Sequence, residues 1–476
     1  MAQQVLNDDI LFAPIRELAD RLRTRRLSPI ALTEAFLDRL QKIGPRLNAV
    51  VTLMRESALR EARTADEQIR QGKYRGLLHG IPYGAKDLLA TAGVPTTWGA
   101  EPFRKQVFAY DATVIRKLRD AGAILIGKLA MVELAGSFGY NNADASFSGP
   151  GKTPWNLDYW SGGSSSGSGA SVAAGLCAFA IGSETSGSII TPAAYCGVSG
   201  LRPTFGRVSR FGAMALSWTF DKLGPICRSA DCCGIVLSVI RGRDGKDLST
   251  VAKPYAWPEA GRDPKAKFRI GIIRDSTTGI MPAVRDNFRD SVKVLGKFCD
   301  ITEDVPFPEL PFGPVVSAVI NAEGANAFRE LIESGRINDL RNAQMKSNAV
   351  AASMTMAVDY LQAQRVRTRM KKTMEQLYAK YDALIAPART TVAYPLDRNF
   401  AAAYPNLGGG PPIIPAGNAV GQPAISIPNG FGPNNLPTGI QFTGRIWSEA
   451  RLLSLAHAYQ QATDWHRRRP NLNKGG

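Results

Sequence analysis

The chain has 476 residues, 44% hydrophobic and 21% charged, with 58 basic against 41 acidic residues and a formal charge of +17. That length and balance exclude a coiled coil, a disordered tail protein and a disulfide miniprotein. They allow a large core that needs no metal or disulfide staple. The basic residues are scattered, and their short clusters (residues 21–26, 365–372 and 467–469) come without aromatic-basic repeats, zinc spacing or arginine-glycine tracts. No nucleic-acid partner is therefore expected. The six cysteines lack C-x-x-C spacing and read as buried free thiols. Met1 to Ile10 carries no basic region followed by an apolar run, and no stretch approaches the ~18 apolar residues of a membrane helix. The expectation is a cytoplasmic protein with no membrane partner.

Residues 10–72 read as helices; Ser28-Pro29 opens the clearest one, with Leu32, Phe36, Leu37 and Leu40 on one face. From 76 to 265, short β-branched runs (Ala123 to Ile126, Ala178 to Ile181) alternate with helical runs and glycine-rich connectors, the pattern of an α/β layer architecture. A polar connector at Arg262-Asp263-Pro264 precedes a strand at Phe268 to Ile273. Residues 310–357 are helical and rich in Ala, Val and Met, and suit either a mobile apolar cap over a site or ordinary helix packing. Asp382 to Ile385 is a strand. Ala424 to Ile427 and Thr438 to Thr443 form two more, joined by an Asn/Gly/Pro turn, and Glu449 to Trp465 closes the chain as a helix.

The abnormal composition lies at residues 161–200. Ser161 to Gly169 holds only Ser and Gly, yet a helix of small residues follows at once. A flexible linker of this composition separates domains; one wedged among apolar elements implies close backbone approach or strained backbone. A second loop, Ser183-Glu-Thr-Ser-Gly-Ser188, follows a strand and offers free N–H groups to an anion or a developing oxyanion. Gly122 to Lys128 has Walker spacing, but Leu129 stands where the hydroxyl residue belongs and the interior is a strand. Gly163-Ser-Ser-Ser-Gly167 has nucleophile-elbow spacing without a preceding strand, and the three histidines (His79, His457, His466) form neither a triad partner nor a ligand pair. Serine chemistry without histidine needs a lysine base whose pKa of ~10.4 falls by several units through burial. Lys86, set in Gly80-Ile-Pro-Tyr-Gly-Ala-Lys86-Asp87, is such a lysine; a surface lysine beside Asp87 is the plainer reading of the same residues.

Three segments together resemble the amidase signature family. Leu78-His-Gly-Ile-Pro-Tyr-Gly-Ala-Lys-Asp-Leu resembles its lysine segment, Gly162-Gly-Ser-Ser-Ser-Gly-Ser its Gly/Ser signature, and Gly182-Ser-Glu-Thr-Ser-Gly-Ser188 its nucleophile segment. The likeness runs from about residue 10 to 470. It implies one amidase domain over 1–476, α/β, with a central mixed twisted sheet covered by helices on both faces and no cofactor or metal. It further implies a Ser–cis-Ser–Lys triad of Ser188 (nucleophile), Ser164 (bridge, through a cis Gly163–Ser164 peptide) and Lys86 (base). The oxyanion would be held by the backbone N–H groups of Thr185, Ser186, Gly187 and Ser188, with Ser165 and Gly163 in support. Glu184 and Ser186 depart from the usual Asp and Gly of this loop. Ile190 stands where an Arg is frequent, and Pro405 to Ile414 is Gly/Pro-rich rather than acidic. Ile190 and the 405–414 segment point to an amidase or urethanase type rather than the ammonia-supplying hydrolase of the transfer-RNA amidotransferases. The expected substrates are uncharged small-molecule amides, with esters and carbamates, for a monomer or homodimer. The alternative is a glutamine-hydrolysing amidotransferase subunit that supplies ammonia to a partner.

Overall fold

The computed structural model describes residue 6, residues 8–259 and residues 267–472; the expected connector at Arg262-Asp263-Pro264 lies outside them. Eleven strands form one mixed sheet: β1 (Val50–Leu53), β2 (Pro82–Lys86), β3 (Ile124–Leu129), β4 (Phe179–Glu184), β5 (Ser199–Arg202), β6 (Lys222–Cys227), β7 (Phe268–Ile273), β8 (Cys299–Val305), β9 (Ala383–Pro387), β10 (Ala424–Gly432) and β11 (Leu436–Thr443). Their spatial order is β1-β3-β2-β4-β6-β5-β10-β11-β9-β7-β8. β2 runs parallel to both β3 and β4, and β7 parallel to β8 and β9; the remaining pairs are antiparallel.

The central strands β2, β3 and β4 are buried along their whole length, as parallel strands covered on both faces must be. Two departures from the sequence reading concern this sheet. Residues 10–72 are not helical throughout: after the helix Pro29–Ile43 the chain pairs β1 antiparallel with β3 before the helix Arg55–Arg70. The layered core also reaches beyond 76–265, because β10 pairs with β5 and joins the C-terminal strands to the N-terminal half.

Small residues set how closely the layers approach. The helix Ser166–Ala173 (SGSGASVA) is buried on every side. A Cβ on Gly167 would sit 2.3 Å from the Ala49 carbonyl oxygen and 2.5 Å from the Ala130 nitrogen, so no larger residue fits. The Ser/Gly run is therefore a packed helix start against the sheet rather than a linker. A second apolar cluster, including Phe312, Val316, Met370 and Met374, packs the helices Phe312–Ala327 and Ala357–Tyr378 together. All six cysteines are buried.

Candidate active site

Lys86 ends β2 with its side chain fully buried. Its ammonium nitrogen donates to Ser164 Oγ at 2.7 Å and to Ser183 Oγ at 2.8 Å. Asp87, its neighbour in sequence, turns the other way and pairs with Lys128 at 3.1 Å. Burial pushes Lys86 down to about 7, against the opposing pull of the more distant Asp221 and Glu184 carboxylates. A lysine with only hydroxyls for partners in a low-dielectric interior loses its charge more readily than one facing a carboxylate.

Ser164 and Ser165 lie in the turn before the helix Ser166–Ala173, where the Gly163–Ser164 peptide bond is cis. Glycine is required at 163 by close approach. A Cβ there would lie 2.7 Å from Val132 Cγ2 and 2.9 Å from the Tyr140 hydroxyl. Ser165 does not touch Lys86. Its hydroxyl donates to the Ser183 carbonyl at 3.2 Å and accepts from the Ser183 N–H at 3.3 Å. The support it gives is indirect: it fixes the end of β4, which carries the serine that does contact Lys86. Ser183 is the residue that sequence reasoning misses. The alternation of side chains along a strand is the available signal, and it is hidden because Ser183 reads as the first residue of a loop.

β4 ends at Glu184, and the chain turns through Thr185, Ser186, Gly187 and Ser188 into the helix Ile190–Cys196. Gly187 has φ +93°, a conformation in which side-chain-bearing residues are strained. The N–H groups of residues 185–188 have no acceptor among the described residues. The turn is held instead by its flanks. Glu184 accepts from the N–H groups of Ile189 (2.9 Å) and Ile190 (3.0 Å), from Arg202 (2.8 Å) and from Asn418 Nδ2 (2.9 Å). Burial opposes ionisation of Glu184, but the Arg202 guanidinium outweighs it and holds the carboxyl at about 2. On the other side, Thr185 Oγ1 donates to Asp221 at 2.6 Å.

Ser188 is almost buried, and its hydroxyl forms no hydrogen bond among the described residues; the N–H of Ser165 donates to the Ser188 carbonyl at 3.3 Å. With Thr185, Ser186 and Gly163 it lines a cavity of about 280 Å³ walled by Tyr140, Trp160, Tyr394 and Phe400, with Arg389 and Ile320 at its edge. Trp160 and Phe400 stack at 4.7 Å, and Tyr394 meets Phe400 at the same distance. None of the three histidines lines this cavity. His79 is buried elsewhere, where burial and Arg75 bring it down to about 4. Among the described residues no cluster of three or more His, Cys, Asp or Glu side chains could hold a metal ion. No described helix is long and apolar enough to cross a membrane.

A mixed sheet flanked by helices, with a buried lysine hydrogen-bonded to a serine beside a turn of unpaired N–H groups, fits the serine amidohydrolase class. Residues 31–453 match the amidase family, and the chain belongs to it. It is 35% identical to the A subunit of the glutamyl-tRNA(Gln) amidotransferase of Moorella thermoacetica, over 98% of this chain and 99% of that one. It is 36% identical to the counterpart from Acinetobacter baumannii, over 96% and 97%. The X-ray structure of the peptide amidase of Stenotrophomonas maltophilia superposes with a TM-score of 0.82 at 29% identity, covering 97% of this chain and 99% of that one.

These relatives overturn the separation from the transfer-RNA amidotransferases that Ile190 and residues 405–414 suggest. The structure supplies the physical reason. Ile190 is fully buried as the first residue of its helix and is absent from the cavity wall. The Gly/Pro-rich segment borders a neighbouring cavity of about 340 Å³, and its Ile414 packs against Gly187 of the turn. Neither feature reports on what Ser188 meets.

Proposed function

We propose that the chain hydrolyses the carboxamide of glutamine or a glutamine-like amide through an acyl-enzyme on Ser188, in the manner of a subunit that passes ammonia to a partner. The observation that carries this reading is the near-full-length likeness to glutamyl-tRNA(Gln) amidotransferase chains, in a protein whose lysine and both serines are present. Neutral Lys86 accepts the proton of Ser164, which takes that of Ser188 as Ser188 Oγ attacks the amide carbon. The carbonyl oxygen, now negative, is met by the unpaired N–H groups of residues 185–188. The proton returns along the same relay to the leaving nitrogen, the C–N bond breaks, and ammonia departs. Water then releases the acid from Ser188.

A second reading, hydrolysis of uncharged amides with esters and carbamates, is favoured by one observation: the aromatic wall of Tyr140, Trp160, Tyr394 and Phe400. It suits an aryl or alkyl acyl group. One panel separates the two: glutamine, a p-nitroanilide, a p-nitrophenyl ester and an aryl carbamate, each with the wild type and with Ser188→Ala. Turnover of glutamine that disappears in Ser188→Ala, with the aryl substrates slow, is the expected result. Fast aryl turnover without glutamine turnover would give the second reading, and activity surviving in the variant would remove Ser188 as nucleophile. Size-exclusion chromatography with and without transfer RNA tests for a partner-bound state.

A further inference from the structure

Arg389 is the cation of the nucleophile cavity, and no counter-ion meets it among the described residues. It stands two residues beyond the end of β9 and borders both the Ser188 cavity and the adjoining one. Several other buried cations do have a carboxylate partner: Arg202 has Glu184 at 2.8 Å, Arg207 has Glu449 at 2.8 Å, and Lys128 has Asp87 at 3.1 Å. Arg389 has no carboxylate within ion-pair distance among the described residues. Its Nε donates a long hydrogen bond to the Tyr195 hydroxyl at 3.4 Å, with the guanidinium 5.8 Å from the Tyr195 ring centre. The Tyr394 hydroxyl is its other polar neighbour. A hydroxyl partner supplies no counter-charge, so the guanidinium keeps an unmatched charge. Its terminal nitrogens form the fork that grips a carboxylate through two parallel bonds. Tyr195, Tyr394 and Phe400 pack edge and face around this corner, and a dry aromatic surround strengthens such a pair. An unmatched guanidinium held in a half-buried position costs stability unless a ligand supplies the missing charge.

We infer that Arg389 is a specificity-determining residue that binds a carboxylate on the acyl part of the substrate, so that the chain selects short amides of the type ⁻OOC–(CH2)n–CONH2, with or without an α-amino group. A cavity of about 280 Å³ lies at the small end of ligand sites, which run to about 300–1,000 Å³; a compact amino acid amide fits it better than a peptide. The inference rests on the hydrolase reading for its kinetic arm, and a binding arm stands without it.

The kinetic arm compares glutaramate (5-amino-5-oxopentanoate) with pentanamide, its neutral counterpart of similar shape, in the wild type, Arg389→Gln and Arg389→Lys. The wild type is expected to favour glutaramate. Losing one partner of a desolvated charge pair lowers kcat/KM on glutaramate by about 100-fold in Arg389→Gln. Pentanamide turnover should stay within about threefold, and Arg389→Lys should recover part of the loss. A parallel loss on both amides would assign Arg389 a merely structural role and overturn the inference, as would a wild type that prefers pentanamide. The binding arm uses Ser188→Ala with titration calorimetry. Saturable glutaramate binding that is absent in the Ser188→Ala, Arg389→Gln double variant supports the carboxylate site even if no amide is turned over. Binding equal in both overturns it whatever the fate of the hydrolase reading.

Discussion

Two lysines on neighbouring parallel strands, Lys86 on β2 and Lys128 on β3, are both wholly buried, yet they meet opposite surroundings. Lys128 is given a carboxylate, Asp87, at 3.1 Å and the Thr96 hydroxyl at 2.7 Å. Lys86 is given two serine hydroxyls and no carboxylate in contact. Burial drives each lysine toward neutrality. For Lys128 the Asp87 charge resists, and burial pushes Asp87 upward in turn, so the two depend on one another. For Lys86 little resists, and its amine becomes a base that can be used near neutral pH. The same burial makes a structural pair in one place and, in the mechanism proposed above, a proton acceptor in the other; the partner decides which.

Exchanging the two lysines for methionine should therefore give opposite phenotypes. Lys86→Met removes the proposed base and is expected to lower kcat/KM by about 10²–10⁴-fold, the usual worth of general acid–base catalysis. Its thermal midpoint should be unchanged or raised, since an apolar side chain replaces a buried amine. Lys128→Met should do the reverse. It leaves the Asp87 carboxyl buried without its cation, at a cost of about 3–5 kcal/mol in denaturant unfolding, while the residual folded enzyme keeps its kcat. Glu184→Gln extends the second case to the nucleophile turn. It leaves Arg202 without its anion, and the single amide oxygen can serve either Arg202 and Asn418 or the N–H groups of Ile189 and Ile190 but not both, so a loss of about 3 kcal/mol or more is expected, with kcat falling as the turn loosens. Because Arg202 holds Glu184 at about 2, this part of the stability is fully present above the ordinary carboxyl range. It disappears as pH falls through about 2, and acid unfolding of Glu184→Gln should lack that component.

Ser183→Ala gives the smallest effect. It removes one of two acceptors from Lys86 without touching Ser164, and a drop in kcat of about tenfold with KM unchanged is expected. A fall in KM alone, or none in kcat, would mean that Ser183 does not orient the base.

The difference between the two lysines is only half visible in the sequence. The serine–glycine loops stand out because nothing else in the chain has that composition, and Lys86 stands out among apolar and glycine residues. Lys128, by contrast, lies inside an apolar run that reads as an ordinary strand. Strands β2 (PYGAK) and β6 (KLGPIC) are not legible: glycine, proline and lysine are poor strand formers, and the neighbouring ladders impose the extended conformation. The hairpin of β10 and β11 is legible from its turn residues, though β10 runs on to Gly432. Arg389 carries no signal in a chain with 58 basic residues. Its meaning comes from having no carboxylate beside it, which only the fold reveals.

A third buried lysine, Lys222 at the start of β6, is also brought down to about 7, by burial and then by the nearby Arg202. It donates to the Phe220 carbonyl and forms no hydrogen bond to Ser164 or Ser188 among the described residues. A titration near neutrality must therefore be assigned by variant and not by value alone.

The most direct test of the account is the pH dependence of Ser188 acylation by a p-nitrophenyl ester, followed by the burst of nitrophenolate and by mass spectrometry of the labelled peptide. A protonated Lys86 cannot accept the Ser164 proton, so the rate should fall about tenfold per pH unit below an apparent pKa near 7. That limb should be absent from the residual reaction of Lys86→Met and retained in Lys222→Met. A label on Ser188 with the same limb in Lys86→Met, or a label on another residue, would contradict the claim that Lys86 is the base and Ser188 the nucleophile.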